Sequence, residues 1–244
     1  MYSLIIPVYN NEESLPKLLA TVDGLNAELN RQLEAVFVID GSPDYCYSVL
    51  QKSLPKHAFR SQLILLSRNF GSFTAIRMGL EHAQGPYFAV MAADLQEPPE
   101  LIVDFFRTLE QQEYDVTIGI REERNDSVIN QLSSNVFWSL FRKFVQTEMP
   151  RGGVDIFGCN LAVRNQLLAL KESNTSLVGL LFWLGYRRKD FSYTRLDRQH
   201  GSSGWSFSKK CNYLVDSILA FSDLPIWMLF IAGSLGLGAL ALLG

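Results

Sequence analysis

Apolar and polar positions alternate along the first half of the chain in two rhythms. Short, nearly continuous apolar runs, SLIIPVY at 3–9, AVFVID at 35–40, LILLSR at 63–68 and YFAVMAAD at 87–94, read as strands buried on both faces. Between them, apolar residues recur at helical spacing over Glu13 to Leu29, from about Tyr45, and over Thr74 to Ala83. This alternation predicts an α/β domain on a mostly parallel sheet, with right-handed crossovers and helices on both faces. Pro98 and Pro99 open a further helix through Glu110, with Leu101, Phe105 and Leu109 on one face. DVTIGIR at 115–121 is a fifth strand, followed by an amphipathic helix over Ser127 to Val145. After Gly152 and Gly153 the chain resumes as DIFGCNLAV and a helix near Arg164 to Glu172.

The rhythm changes near the C-terminus. Leu177 to Tyr186 is apolar and aromatic, Tyr193 to Lys210 is polar and basic, and Lys209 to Phe221 reads as an amphipathic helix. Ile226 to Gly244 then runs 19 residues without a charge and is rich in small residues, which predicts a transmembrane helix. The expected division is a catalytic α/β domain over 1–207, a juxtamembrane amphipathic helix over 208–225 and a membrane span over 226–244, with further spans expected beyond it. Arg187, Arg188, Lys189, Arg195, Arg198, Lys209 and Lys210 all precede the span, which places the domain on the cytoplasmic side of a cell membrane. No signal peptide is expected, because Pro7 interrupts a short first apolar run. A homo-oligomer is left open.

Composition adds three constraints. At 244 residues and 48% hydrophobic content the chain can bury a full core. A net charge of −3 speaks against a nucleic-acid partner. Cys46, Cys159 and Cys211 share no metal-ligand spacing and read as reduced thiols, and His57, His82 and His200 form no triad or ligand pattern.

The candidate chemistry gathers at strand ends. FAVMAADLQEPPE at 88–100 delivers Asp94 and Gln96 to the rim of the sheet, where ligands of open α/β sheets collect. Oxygen ligands there suit a hard cation, or the phosphates it escorts; a strand followed by a polar turn is the plainer alternative. PVYNNE at 7–12 follows the first strand, DGSPD at 40–44 the second and LSRNFG at 66–71 the third. RQHGSSGW at 198–205 and FSDLP at 221–225 precede the apolar span. Taken alone, PVYNNE is also a helix start capped by Asn10 or Asn11, and the basic residues near the span are also a patch for anionic lipid.

In this order the motifs resemble the polyprenyl-phosphate glycosyltransferases, GT-A enzymes akin to dolichyl-phosphate mannose synthase and bacterial undecaprenyl-phosphate glucosyltransferases. The resemblance covers essentially the whole chain. It implies a nucleotide-sugar donor, with UDP-glucose the first expectation, a Mg²⁺ or Mn²⁺ ion and a polyprenyl phosphate acceptor at a lipid bilayer. It assigns donor binding to Pro7, Tyr9, Asn10, Glu12, Asp40, Arg68, Asn69 and Asp94, and the metal to Asp94 and Gln96. Acceptor phosphate falls to Arg121, Arg124, Arg195, Arg198 and Ser203, with Trp205 at the headgroup layer. Asp94, Arg121 and Arg198 are the expected catalytic residues, in one inverting transfer of a single sugar.

The pattern has gaps. The family commonly reads DDGS and DAD, where this chain has Ile39 and Ala92 in place of the first acids. Ser72 and Gly204 stand where the family often carries lysine. A metal corner with one acid fewer still suits Mg²⁺, which keeps waters and takes one or two carboxylates plus phosphates. Two other readings stay open at this point: a processive polysaccharide synthase, whose QxxRW motif is absent, and an inactive nucleotide-sugar-binding membrane protein.

Overall fold

A computed structural model of the chain describes residues 1–121, 138–150, 153–170, 176–196 and 207–243. Along the chain run β1 (Tyr2–Val8), α1 (Leu15–Glu28), β2 (Leu33–Ile39), α2 (Cys46–Ser53), β3 (Arg60–Leu65), α3 (Ser72–His82), β4 (Tyr87–Val90), α4 (Pro99–Glu110) and β5 (Val116–Arg121). A helical segment at 138–144, here α5, leads to β6 (Ile156–Asn160), α6 (Leu161–Ala169), α7 (Leu177–Trp183), β7 (Arg188–Tyr193), α8 (Phe207–Phe221) and α9 (Leu224–Leu243). The N-terminal part of the helix expected over Ser127 to Val145 lies outside the described residues.

The strands form one sheet in the order β3-β2-β1-β4-β6-β5-β7. β1 pairs in parallel with β2 and β4, β2 with β3, and β5 with β7. β6 is antiparallel to both its neighbours, β4 and β5. That reversal matters for the site. It brings the start of β6 to the same rim as the ends of β4, β5 and β7.

Strand alternation divides the core between the two faces. Leu4, Ile6, Val8 and Phe37 pack with α1, α2 and α4, while Ile5, Val36 and Val38 pack with α3, α6 and α7. A sheet covered on both sides leaves ligands only its rim, and the strand order reverses between β1 and β4.

Pro7 helps to open that point. The Val8 carbonyl accepts the Asp40 amide just beyond β2 and the Ile5 carbonyl accepts the Met91 amide just beyond β4, each at 3.0 Å, so odd-numbered peptide groups of β1 face β4. Pro7 has no N–H to offer on that side. Pairing with β4 ends at Ile5↔Val90, while pairing with β2 runs on to Val8↔Ile39.

The C-terminal helices divide at Ser222 and Asp223. α8 lies on the domain: Tyr213 packs against Phe73 and stacks on Phe141 at 5.8 Å, and its hydroxyl shares a hydrogen bond with Ser176 Oγ. α9 leaves the domain. Among the described residues no single helix is long and apolar enough to cross a membrane; Cys211–Phe221 and Leu224–Gly238 meet that test together, bent by 83°.

Candidate active site

The first wall of the crevice is made by the turns after β1 and β2. Asp44 ties them together, since Ser42 Oγ donates to its Oδ1 at 2.6 Å and the Glu12 amide donates to Oδ2 at 3.1 Å. The Cys46 amide and thiol also donate to it, at 3.2 and 3.1 Å. Burial alone would raise the Asp44 carboxyl, but these donors hold it below its ordinary value. Ser42 Oγ in turn accepts the Asn10 amide at 2.7 Å, fixing Asn10 in the left-handed region at φ 54°. Glu12 Oε2 accepts the Tyr45 amide at 2.9 Å. Tyr9, at 46% exposure, and Tyr45, at 73%, stand as open aromatic faces on this wall.

The second wall is the SRNFG turn after β3. Asp40 is buried, and its two carboxylate oxygens accept the amides of Phe70 and Gly71 at 2.7 and 2.9 Å. Asn69 Nδ2 reaches the Asp40 carbonyl at 3.3 Å. Gly41 makes room for the turn: at φ +57° a Cβ there would sit 2.2 Å from the Arg68 carbonyl carbon. Arg68 is exposed and lies over the Phe70 ring at 4.5 Å. Asp40 thus shapes this wall of the crevice through the backbone it holds.

The third part is a corner of charge where β4, β5, β6 and β7 meet. Leu95 turns the chain after β4 at φ 54°, a conformation costly for a residue with a Cβ. Glu97 follows it at 2% exposure, and Asp94 is half-buried. Arg121, at the end of β5, pairs with Asp155 at 2.8 Å, with side-chain exposures of 11% and 27%. The Tyr193 hydroxyl donates to the same Asp155 oxygen at 2.8 Å. Burial raises the Glu97 carboxyl to about 7, helped by the charges of Asp94 and Asp155 and opposed by Arg195. Burial and the charges of Asp155 and Glu97 likewise push the Tyr193 phenol up.

The expected site residues are therefore split. Pro7, Tyr9, Asn10, Glu12, Asp40, Arg68 and Asn69 line or brace the crevice at the ends of β1 to β3, and Asp94, Gln96 and Arg121 lie at the charged corner. Arg195 is placed against the loop after β4, where its guanidinium donates to Gln96 Oε1 at 2.5 Å. Arg124, Arg198 and Ser203 lie outside the described residues. Ser42, Asp44, Glu97, Asp155 and Tyr193 belong to the site without having been singled out as site residues. Asp155 is the instructive omission: placing it requires the reversed direction of β6.

Among the described residues, no three His, Cys, Asp or Glu side chains converge to hold a metal ion. The donors fit instead a cation completed by phosphates and water. Asp94 repels the buried Glu97 charge, which a divalent ion would relieve, and the Gln96 amide oxygen would be shared with Arg195.

An open, mostly parallel sheet with a polar crevice at its switch point and acids at the end of β4 defines a GT-A-like α/β fold. The sequence profile described as Glycosyl transferase family 2 matches residues 3–169. The putative glycosyltransferase CsbB of Bacillus subtilis is 33% identical over 233 residues, 96% of this chain and 70% of its own. The undecaprenyl-phosphate 4-deoxy-4-formamido-L-arabinose transferase of Klebsiella pneumoniae is 30% identical over 242 residues, 99% of this chain and 72% of its own. Glucosyl-3-phosphoglycerate synthase of Mycobacterium tuberculosis, solved with Mn²⁺, UDP and glucosyl-3-phosphoglycerate, superposes with TM-score 0.57 at 16% identity, covering 90% of this chain and 77% of that one. The chain belongs to glycosyl transferase family 2, and it is a glycosyltransferase.

Proposed function

We propose that this glycosyltransferase moves a single sugar from a nucleotide-sugar donor, UDP-glucose in the first instance, to a polyprenyl phosphate at the cytoplasmic face of a cell membrane. One observation carries the reading. The similarity to the undecaprenyl-phosphate transferase covers 99% of the chain, so it continues past residue 169, where the family-2 match ends, into α8 and α9.

The chemistry asks little of a general base. A lipid monophosphate is already anionic at neutral pH, and its oxygen attacks the anomeric carbon as the bond to the nucleoside diphosphate breaks, inverting that centre. The protein's work is alignment and charge compensation. Tyr9, Asn10 and Glu12 would flank the nucleoside, with the Asp40-braced turn bringing Arg68 and Asn69 to the diphosphate. Asp94, with Gln96, would hold a Mg²⁺ or Mn²⁺ ion, which supplies positive charge at the leaving diphosphate. Arg121 would exchange Asp155 for acceptor phosphate, joined by Arg124, Arg198 and Ser203. Guanidinium groups suit that task because they bind phosphate through paired donors. The bent pair α8–α9 would keep this rim at the bilayer, where the acceptor resides.

The test is transfer of label. Purified protein in vesicles containing undecaprenyl phosphate is given a panel of radiolabelled nucleotide sugars, and the mixture is extracted with organic solvent. Label should enter the lipid phase with one donor, and only with acceptor and divalent cation present. No labelled lipid with any donor, from folded protein, would sink the proposal. Label in a water-soluble polymer would point instead to a processive synthase.

A further inference from the structure

The loop after β4 and the segment after β7 are laced together by three hydrogen bonds. The Leu196 amide donates to the Gln96 carbonyl at 2.8 Å, Gln96 Nε2 donates to the Leu196 carbonyl at 3.2 Å, and the Arg195 guanidinium donates to Gln96 Oε1. This lacing sets Arg195 against Gln96, the residue next to Glu97 in the chain. Two atoms of that corner are nevertheless left over. Glu97 Oε2 and Arg195 Nε are both buried without a hydrogen-bond partner among the described residues. The Glu97 side chain belongs to a residue that is 2% exposed, so bulk water does not serve it.

A bare buried acceptor and a bare buried donor are each costly, about 1–3 kcal/mol per group and more when charged. Native proteins leave few such groups, and those at a functional rim call for a ligand. The nature of that ligand follows from the two charges. A phosphate offers only acceptors near neutral pH; it would suit Arg195 and be repelled by Glu97 and Asp94. A metal ion would suit Glu97 Oε2 but offers no acceptor to Arg195 Nε, which can only donate. Hydroxyl groups on a sugar satisfy both, giving a hydrogen to the carboxylate and a lone pair to the guanidinium.

We propose that Glu97 and Arg195 form a hydroxyl-reading subsite for the donor's sugar ring, Glu97 Oε2 accepting from a ring hydroxyl and Arg195 Nε donating to the same or the adjacent hydroxyl oxygen. The inference rests on the reading above that a nucleotide sugar occupies this crevice. It assigns Arg195 to the sugar instead of the acceptor phosphate. It also makes this pair a determinant of which sugar is accepted, since a site built around a substrate hydroxyl discriminates strongly against an analogue that lacks it.

The experiment measures binding as well as turnover. Full-length protein in detergent is titrated with UDP, UDP-glucose and the 2-, 3-, 4- and 6-deoxyglucose analogues of UDP-glucose, with GDP and GDP-mannose titrated in parallel. Wild type, Glu97→Gln and Arg195→Lys are compared, with circular dichroism checking that each is folded. The expected result is that both variants bind the nucleoside diphosphate as wild type does, within about twofold, but lose roughly tenfold or more of the extra affinity the sugar provides. One deoxy analogue should weaken wild type by about the same factor and leave the variants nearly unaffected, the non-additivity expected of groups in contact. If every deoxy analogue costs the variants as much as wild type, the subsite is overturned while the donor reading stands. If wild type binds no nucleotide or nucleotide sugar, both are overturned.

Discussion

At the end of β2, Asp40 and Gly41 shape the crevice through the backbone of another loop. Gly41→Ala would add a Cβ at a positive φ and 2.2 Å from the Arg68 carbonyl carbon, which the SRNFG turn cannot accommodate unchanged. The expected cost is about 1–3 kcal/mol, read as a lower urea midpoint together with weaker nucleotide binding. Glu97 carries the opposite trade. Its folded pKa of about 7 stands above an unfolded value of 4.5, so the native state holds the proton more tightly and loses stability as pH rises from 4.5 through 7. Asp44 slopes the other way: its lowered carboxyl adds stability above its unfolded value of 3.8 that is lost as pH falls through the folded one. Glu97→Gln should therefore stabilise the protein at pH 8, by up to about 3 kcal/mol, and add little at pH 4. Urea unfolding at both pH values checks this, and equal shifts at both would contradict the assignment. A residue that weakens the fold where it works is the pattern expected of a binding group. In the sequence, by contrast, Glu97 looks like one more acid in a proline-rich turn, because burial is not a property of the letter.

Among the elements, β1 to β5 and the helices between them could be read from apolar spacing alone, since each buries a regular face. Smaller shifts are local. The helix expected from Glu13 begins as a 3-10 turn over Glu12–Ser14, where the Glu12 carboxylate accepts the Tyr45 amide, and α1 proper starts at Leu15. β6 was legible as an apolar segment but not in direction, which depends on how the chain returns across residues 122–155. Its Asp155 therefore could not be placed. Strand ends fared better: PVYNNE, DGSPD and ADLQEPPE mark the rim because the apolar runs stop there. α8 gives an element-scale prediction. A Cβ on Gly179 of α7 would lie 2.7 Å from the Phe221 ring, so Gly179→Ala should push α8 away from the domain. The expected loss is about 1–3 kcal/mol of thermal stability, with transfer to lipid falling more than nucleotide affinity. An unchanged melting temperature would mean that α8 docks without this contact.

Viewed whole, the molecule has one part that does not obey the rule for a water-exposed surface. Ile226, Trp227, Met228, Leu229, Phe230 and Ile231 are consecutive in α9 and each is 54–76% exposed. Six successive residues point in every direction around a helix, so no face of this stretch is covered. Leu235→Arg, at the middle of the same apolar helix and 70% exposed in the native protein, tests whether lipid is its surroundings. At mid-span an arginine costs roughly 2.5–3.5 kcal/mol of insertion, so carbonate-resistant membrane association should fall, while nucleotide binding by the domain should not. Retained association would count against α9 as an anchor.

On the function proposed above, the 83° corner between α8 and α9 would have a kinetic consequence. The two helices meet the length and hydropathy test only together, so both would seat in the lipid sheet and hold the crevice at a constant height above it. An enzyme mounted in this way searches for its acceptor in two dimensions. What it senses is the number of lipid phosphates per unit of membrane area, not the number per volume of suspension, so diluting the acceptor with inert lipid would slow turnover and diluting the vesicles with buffer would not.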